Sequence, residues 1–206
     1  MTYNVFGNDK MDFEKRSHHG TSNESAENIV KTHFNKSTGE HHWLGEGTYF
    51  FEDDVDKARD WAISEGLFAK PNKKYREYAI IESNIVCNID EVLDIESKKE
   101  HEVIFNLQRQ ELINKIKREK IDVKGKWDCL DGRTFDGICD VFKFKVVKQP
   151  LFISDIIDRE AKVFSRIPNC TVLCVKSLDC ISNPQIIEKG DIYEHRRNQK
   201  KNSGVL

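Results

Sequence analysis

The chain has 206 residues, 38% of them hydrophobic and 33% charged, enough apolar material for a real core beneath a heavily charged surface. A net charge of −2 with a pI near 6.4 gives no global electrostatic reason for a nucleic-acid or membrane partner, leaving only a local basic patch open. The N-terminus lacks the apolar run of a signal peptide, and no segment approaches the length needed to cross a bilayer, which predicts a cytoplasmic protein.

After a polar start, Ser17–Gly20 reads as a strand end or loop. Thr21 and Glu24 then have capping-box spacing, ahead of a helix carrying Ala26, Ile29, Val30 and His33. Residues 41–51 are aromatic and punctuated by Gly45 and Gly47, as expected of a loop leading into a strand. Asp53, with Asp56 three residues on, can cap a second helix with Val55, Ala58 and Ala62 on one side. Residues 78–81 and 84–89 are strand material. Ser97 and Glu100 form another capping-box pair, before a long charged helix with a stripe of Ile104, Leu107, Leu112, Ile113 and Ile116.

Residues 141–147 alternate as a half-exposed strand should, 155–162 fit a short helix, and 171–175 read as a buried strand. From Lys189 the chain is polar, basic and loose, so the expected organisation is a single domain over 1–188 with a tail over 189–206. Helices and strands mix without strict alternation, which predicts the α+β class. Six cysteines, at 87, 129, 139, 170, 174 and 180, form no CxxC pair and sit partly in apolar runs, as buried free thiols do.

Five of the seven histidines, at 18, 19, 33, 41 and 42, fall within 25 residues. None has the HxxxH or HExxH spacing of a helical metal site, and adjacent histidines do not both easily reach one ion, so no metal is expected. His18, His33, His41 and His42 read as surface or hydrogen-bonded side chains. His19 differs because His19-Gly20-Thr21 runs into a helix and is followed by Gly45-Glu46-Gly47-Thr48-Tyr49-Phe50 and a second, acid-capped helix.

This pairing, over residues 17 to 62, resembles the PARP-like (diphtheria-toxin-like) ADP-ribosyltransferases. The resemblance implies a core of two packed, mainly antiparallel sheets with flanking helices, and NAD⁺ as co-substrate. It implies that His19 orients a ribose hydroxyl, that the Gly20 backbone grips the nicotinamide carboxamide, and that Tyr49 stacks on the nicotinamide ring. Thr21 and Gly47 complete the binding segments. The chemistry suits the residue types: a residue without a side chain lets backbone donors come close, and an aromatic face attracts a flat cation.

Many relatives place a glutamate at the start of a later strand, where it binds the ribose 2′-hydroxyl and stabilises the oxocarbenium-like transition state. The matching strand here begins at Cys170, and Arg166-Ile-Pro-Asn169 before it holds no acid. Glu160 upstream is the nearest candidate, and Glu188 lies downstream. The departure implies single transfer to a protein or nucleic-acid acceptor in place of chain elongation, in the manner of bacterial toxins, for which a cognate antitoxin is a partner. Two other classes stay open: a silent module that binds NAD⁺ or ADP-ribose, and a metal-dependent nuclease built on the histidine cluster.

Overall fold

The computed structural model describes residues 12–38, 42–121 and 130–202. Two expectations, His41 as a surface histidine and Cys129 as a buried thiol, lie outside these residues. The fold is α+β. In chain order the elements are β1 (Asp12–Ser22), α1 (Asn23–Thr32), β2 (Thr48–Glu52), α2 (Val55–Phe68), β3 (Glu77–Asn88), β4 (Val92–Asp94), α3 (Lys99–Glu119), α4 (Leu130–Phe142), β5 (Val146–Leu151), α5 (Ile156–Ala161), β6 (Cys170–Val175), β7 (Ile181–Asp191) and α6 (Ile192–Asn202).

The strands form one seven-stranded sheet in the order β4-β5-β6-β2-β1-β3-β7. This corrects the expected pair of packed sheets. Pairing is antiparallel except between β4 and β5. The sheet is nevertheless close to being two, because β1 and β2 join at only two residue pairs, Ser17↔Glu52 and His18↔Phe51. On either side of that junction the ladders are long. β1 pairs with β3 from Asp12↔Asn88 to Ser22↔Tyr78 without a slip, and β2 pairs with β6 over Thr48–Phe51.

Successive strand residues point to opposite faces, and here each face is covered. Along β3, Tyr78 and Ile80 join one apolar cluster while Ala79 and Ile81 join the other. The first cluster takes Ala58, Ala62 and Ile63 from α2, Phe135 and Ile138 from α4, Ile156 from α5 and Ile192 from α6. The second takes Ala26 from α1, together with Phe34, Phe50 and Ile181. Burying about a dozen full-sized side chains at roughly 1.5–3 kcal/mol each is what opposes the chain entropy of this many residues.

Several local expectations shift. The N-cap of α1 is Ser22, whose hydroxyl accepts from the Ser25 N–H at 3.2 Å; Thr21 instead continues β1 opposite Ala79. Asp54, not Asp53, caps α2, accepting from the Lys57 N–H at 2.8 Å, because Asp53 is spent on the left-handed turn that closes β2 (φ +49°). The helix α3 starts after Lys98, one residue beyond Ser97, with no side-chain cap, and the Ser97 N–H donates to Asp94. Its stripe is incomplete, with Leu107 64% exposed.

Residues 141–142 belong to α4, whose Phe135, Ile138 and Cys139 are buried at helical spacing, so the strand begins only at Val146. The short helix at 156–161 is present, with Asp155 and Asp158 in a reciprocal capping box. Residues expected to be loose after Lys189 instead finish β7 and form α6, anchored by the buried Ile192. The cysteines described are free, with Cys87, Cys139, Cys174 and Cys180 buried. No helix among the described residues is long and apolar enough to cross a membrane.

Candidate functional site

A cavity of about 620 Å³ opens where β1 and β2 part. It is lined by residues from both faces of the sheet: His19, Phe34 and Phe50 from one, Trp61, Ile153 and Val172 from the other. The parting of the strands is what lets it pass through. Its volume lies in the range of roughly 300–1,000 Å³ typical of small-molecule sites.

Backbone direction follows from a single bond. The Asp53 N–H donates to the Arg16 carbonyl at 2.9 Å, so Arg16 turns its polar backbone toward β2. In an antiparallel strand this alternates, and His18 and Gly20 turn the same way. Were the ladder to continue past His18↔Phe51, Gly20 would face Tyr49 and exchange bonds with it. The strands have separated there, leaving the Gly20 N–H and C=O turned toward the cleft without a partner on β2.

His19 bridges the fork. Its Nδ1 lies 2.8 Å from the Tyr49 carbonyl, and a carbonyl only accepts, so Nδ1 carries the proton and Nε2 is left as an acceptor. Nε2 has no hydrogen-bond partner among the described residues. Rings of Phe34 (5.4 Å) and Phe50 (5.7 Å) flank the imidazole. Burial holds its pKa below the usual histidine value, against the smaller opposing effect of the bond to Tyr49, so the ring is neutral at pH 7.

Gly20 is a glycine for another reason than the close ligand approach expected. A Cβ there would lie 1.9 Å from the Ala58 carbonyl oxygen and 3.0 Å from the Ala62 Cβ, so the missing side chain admits α2, not a ligand. That close approach brings Trp61 of α2 to the cavity wall, where it meets Trp43 edge to face at 5.7 Å.

Tyr49 is pinned at its hydroxyl, which donates to the Gly45 carbonyl at 2.6 Å and accepts from the Leu44 N–H at 3.0 Å. Burial, reinforced by nearby Cys174, pushes the phenol far above its usual pKa, so it stays a donor. The ring lines the cavity beside His42, with centroids 5.8 Å apart. The loop it holds is fixed from below as well. Lys176 donates to the Leu44 carbonyl at 2.6 Å and to Asp136 at 2.8 Å, and Asp136 accepts the Glu46 N–H at 2.9 Å. Gly45 makes this turn with φ +81°, and a Cβ on it would strike Asp136.

His19, Gly20, Thr21 and Tyr49 line one cavity. Gly47 is not among the residues lining the cavity; it packs on β6, where a Cβ would lie 2.6 Å from the Cys174 sulfur. Neither glutamate reaches the cleft. Glu160 is on exposed α5, ion-paired with Arg196, and Glu188 on β7 is gripped by Arg59 at 2.6 Å on both oxygens and by the Tyr78 hydroxyl at 2.8 Å.

His18, on the other face of β1 from His19, is buried beside Glu82 at 3.3 Å with its Nδ1 unpartnered. His33 and His42 do line the cavity. His33 also donates from Nε2 to the Ile181 carbonyl at 3.2 Å. Sequence reasoning did not place them there, nor Asn28, Trp43 and Trp61; the aromatic density of residues 42–51 was the available signal. Among the described residues no three His, Cys, Asp or Glu side chains gather as metal ligands, and no Asp, Glu, Lys or Arg lines the cavity.

No family model matches the chain. Over 194 residues it is 26% identical to the uncharacterized protein MJ0359 of Methanocaldococcus jannaschii, with 86% of each chain covered.

Proposed function

We propose that the cleft binds NAD⁺ and that the chain is a mono-ADP-ribosyltransferase, moving one ADP-ribose to a macromolecular acceptor. The observation that carries this is the fork itself: the Gly20 N–H and C=O, left without a partner on β2, between a neutral imidazole and a fixed phenol ring. A carboxamide presents one donor and one acceptor, and it matches the Gly20 pair. The pyridinium ring it is attached to lies on the face of Tyr49, stabilised by stacking and by the attraction of a cation to a π cloud. His19 Nε2 accepts from a hydroxyl of the adjoining ribose.

The bond broken joins the ribose anomeric carbon to the pyridinium nitrogen. Nicotinamide leaves neutral with the bonding pair, the ribose takes on oxocarbenium character, and an acceptor oxygen or nitrogen forms the new bond and gives its proton to water. Fixing both rings before reaction contributes through orientation. The hydroxyls and amides of Ser25, Asn28, Thr32 and Asn35 along the wall meet the diphosphate and second ribose in place of a cationic clamp.

A second reading rests on one observation, the lack of a carboxylate in the described lining. Under it the cleft holds NAD⁺ without breaking it. Incubating the purified chain with labelled NAD⁺ and a cell lysate separates the two. Transfer requires released nicotinamide and label in macromolecules, both lost in Tyr49→Ala while its melting transition persists. Binding with no nicotinamide release supports the silent module, and unchanged transfer by folded Tyr49→Ala refutes the site.

A further inference from the structure

A second groove, of about 1010 Å³, adjoins the cleft, and Trp43 and Ile153 line both. Its walls come from the α3–α4 pair and from the connection between β5 and β6. Three arginines, Arg109, Arg159 and Arg166, face it against a single described carboxylate, Asp131. In a chain of net charge −2 this is a local inversion of sign.

The arginines are not equivalent. Arg109 is paired with Asp131 at 3.1 Å, and Arg159 reaches Glu65 at 3.4 Å while its guanidinium lies over Trp61 at 5.4 Å. Arg166 is exposed, with no hydrogen-bond or ion-pair partner among the described residues. Two residues before it, Phe164 is 73% exposed and leans edge-on to Phe152 at 5.1 Å. Along the same groove Trp43 is 43% exposed, so open ring surface and arginine charge share its walls.

We propose that this groove holds the acceptor, and that the acceptor is a single-stranded nucleic acid. Such a strand alternates flat bases with phosphates, and the groove offers the open rings of Trp43 and Phe164 for the bases and the exposed Arg166 for a phosphate. An acidic peptide would satisfy the charge and leave the rings exposed. Because Trp43 and Ile153 belong to both spaces, a base at the inner end of the groove lies next to the cleft. There a base nitrogen forms the bond to the anomeric carbon as the bond to nicotinamide breaks, and its proton passes to water. The assignment of the strand as acceptor rests on the reading of the cleft; its binding in the groove does not.

The test is fluorescence anisotropy of labelled 12-nucleotide single strands, DNA and RNA, titrated with the full chain at several salt concentrations, alongside a glutamate-rich peptide of equal length. Nicotinamide release is assayed in parallel with NAD⁺ present. The oligonucleotide should bind more tightly than the peptide. Arg166→Ala should weaken it and flatten the slope of log affinity against log salt by about one phosphate contact. Phe164→Ala should weaken it about tenfold with little change in slope. Both residues are exposed, so both variants should melt like the parent.

Nicotinamide release without oligonucleotide binding overturns the groove and leaves the cleft reading standing. Oligonucleotide binding weakened by both substitutions, with no nicotinamide release, supports the groove and counts against transfer. Binding indifferent to both substitutions, or a peptide that binds as tightly, overturns it.

Discussion

Replacing Gly20 with alanine tests the placement of α2 against β1 more sharply than any change in the cavity wall. Gly20 lies in extended strand, so alanine pays no backbone penalty and, given room, would stabilise by about 0.4–1 kcal/mol through the unfolded chain. There is no room. The new Cβ meets the Ala58 carbonyl oxygen at 1.9 Å, about 1.5 Å inside the 3.4 Å at which ordinary contact begins. The obstacle is helix backbone, so no side-chain rotation relieves it and α2 must move.

Overpacking of this kind costs roughly 1–3 kcal/mol. For a chain of this size that lowers the melting temperature by about 2–12 °C. Thermal unfolding of parent and Gly20→Ala reads it directly. Adding Ala58→Gly should not rescue the variant, because the clashing atom is a carbonyl that glycine keeps. A Gly20→Ala protein that melts at or above the parent would refute the close approach, and with it the reason given for a glycine at this position.

Two further outcomes concern titration. Burial lowers the His19 pKa, so its contribution to stability is complete above the unfolded value of about 6.5 and is lost as pH falls toward the folded value; urea unfolding from pH 7 to 5 should show the parent losing stability relative to His19→Gln. Equal slopes would mean the ring is not buried neutral. Glu188 behaves in the carboxylate sense: the bonds from Arg59 hold its pKa down, so the stability it adds is present above about 4.5 and disappears as pH falls through the folded value. Melting temperatures of Glu188→Gln and the parent should differ at pH 7 and draw together as pH falls below about 4.5, while at pH 7 the exposed Glu160→Gln stays within about 0.5 kcal/mol of the parent.

The four cleft residues His19, Gly20, Thr21 and Tyr49 were legible because they sit on two short local motifs whose spacing survives in one dimension. The α+β class was legible from the mixture of periodicities. What misled was chemistry shared between neighbours. Thr21 and Ser22 are both competent caps, as are Asp53 and Asp54, and the choice is made by where β1 and β2 end. The Lys143-Phe144-Lys145 alternation imitates a strand at the exit of α4, and only the burial of Phe135 and Ile138 reveals the helix. Lys189–Asn202 looks loose because only Ile192 buries an apolar side chain while its neighbour Tyr193 stays exposed and most of the segment is polar. Lys176 and Asp136, which hold the loop beneath Tyr49, come from distant strands and helices and carry no motif.

The fork between β1 and β2 has its own energetics. Zipping it by one more pair would gain two ladder bonds, each worth about 0.5–1.5 kcal/mol net, so something must hold it open. The imidazole of His19 does so by taking the Tyr49 carbonyl that Gly20 would otherwise use, packed against Phe34 and Phe50. The Gly20 N–H and C=O and the Tyr49 N–H are left without their cross-strand partners between β1 and β2. His19→Ala removes the ring and frees that carbonyl at once, so Gly20 and Tyr49 should pair and the cleft should narrow. Hydrogen exchange measured by NMR is the test: the Gly20 amide, unprotected in the parent, should become protected in His19→Ala. If it exchanges as quickly in the variant as in the parent, the histidine is not what keeps the strands apart, and the separation must be imposed by the packing of α1 and α2 on opposite faces of the sheet.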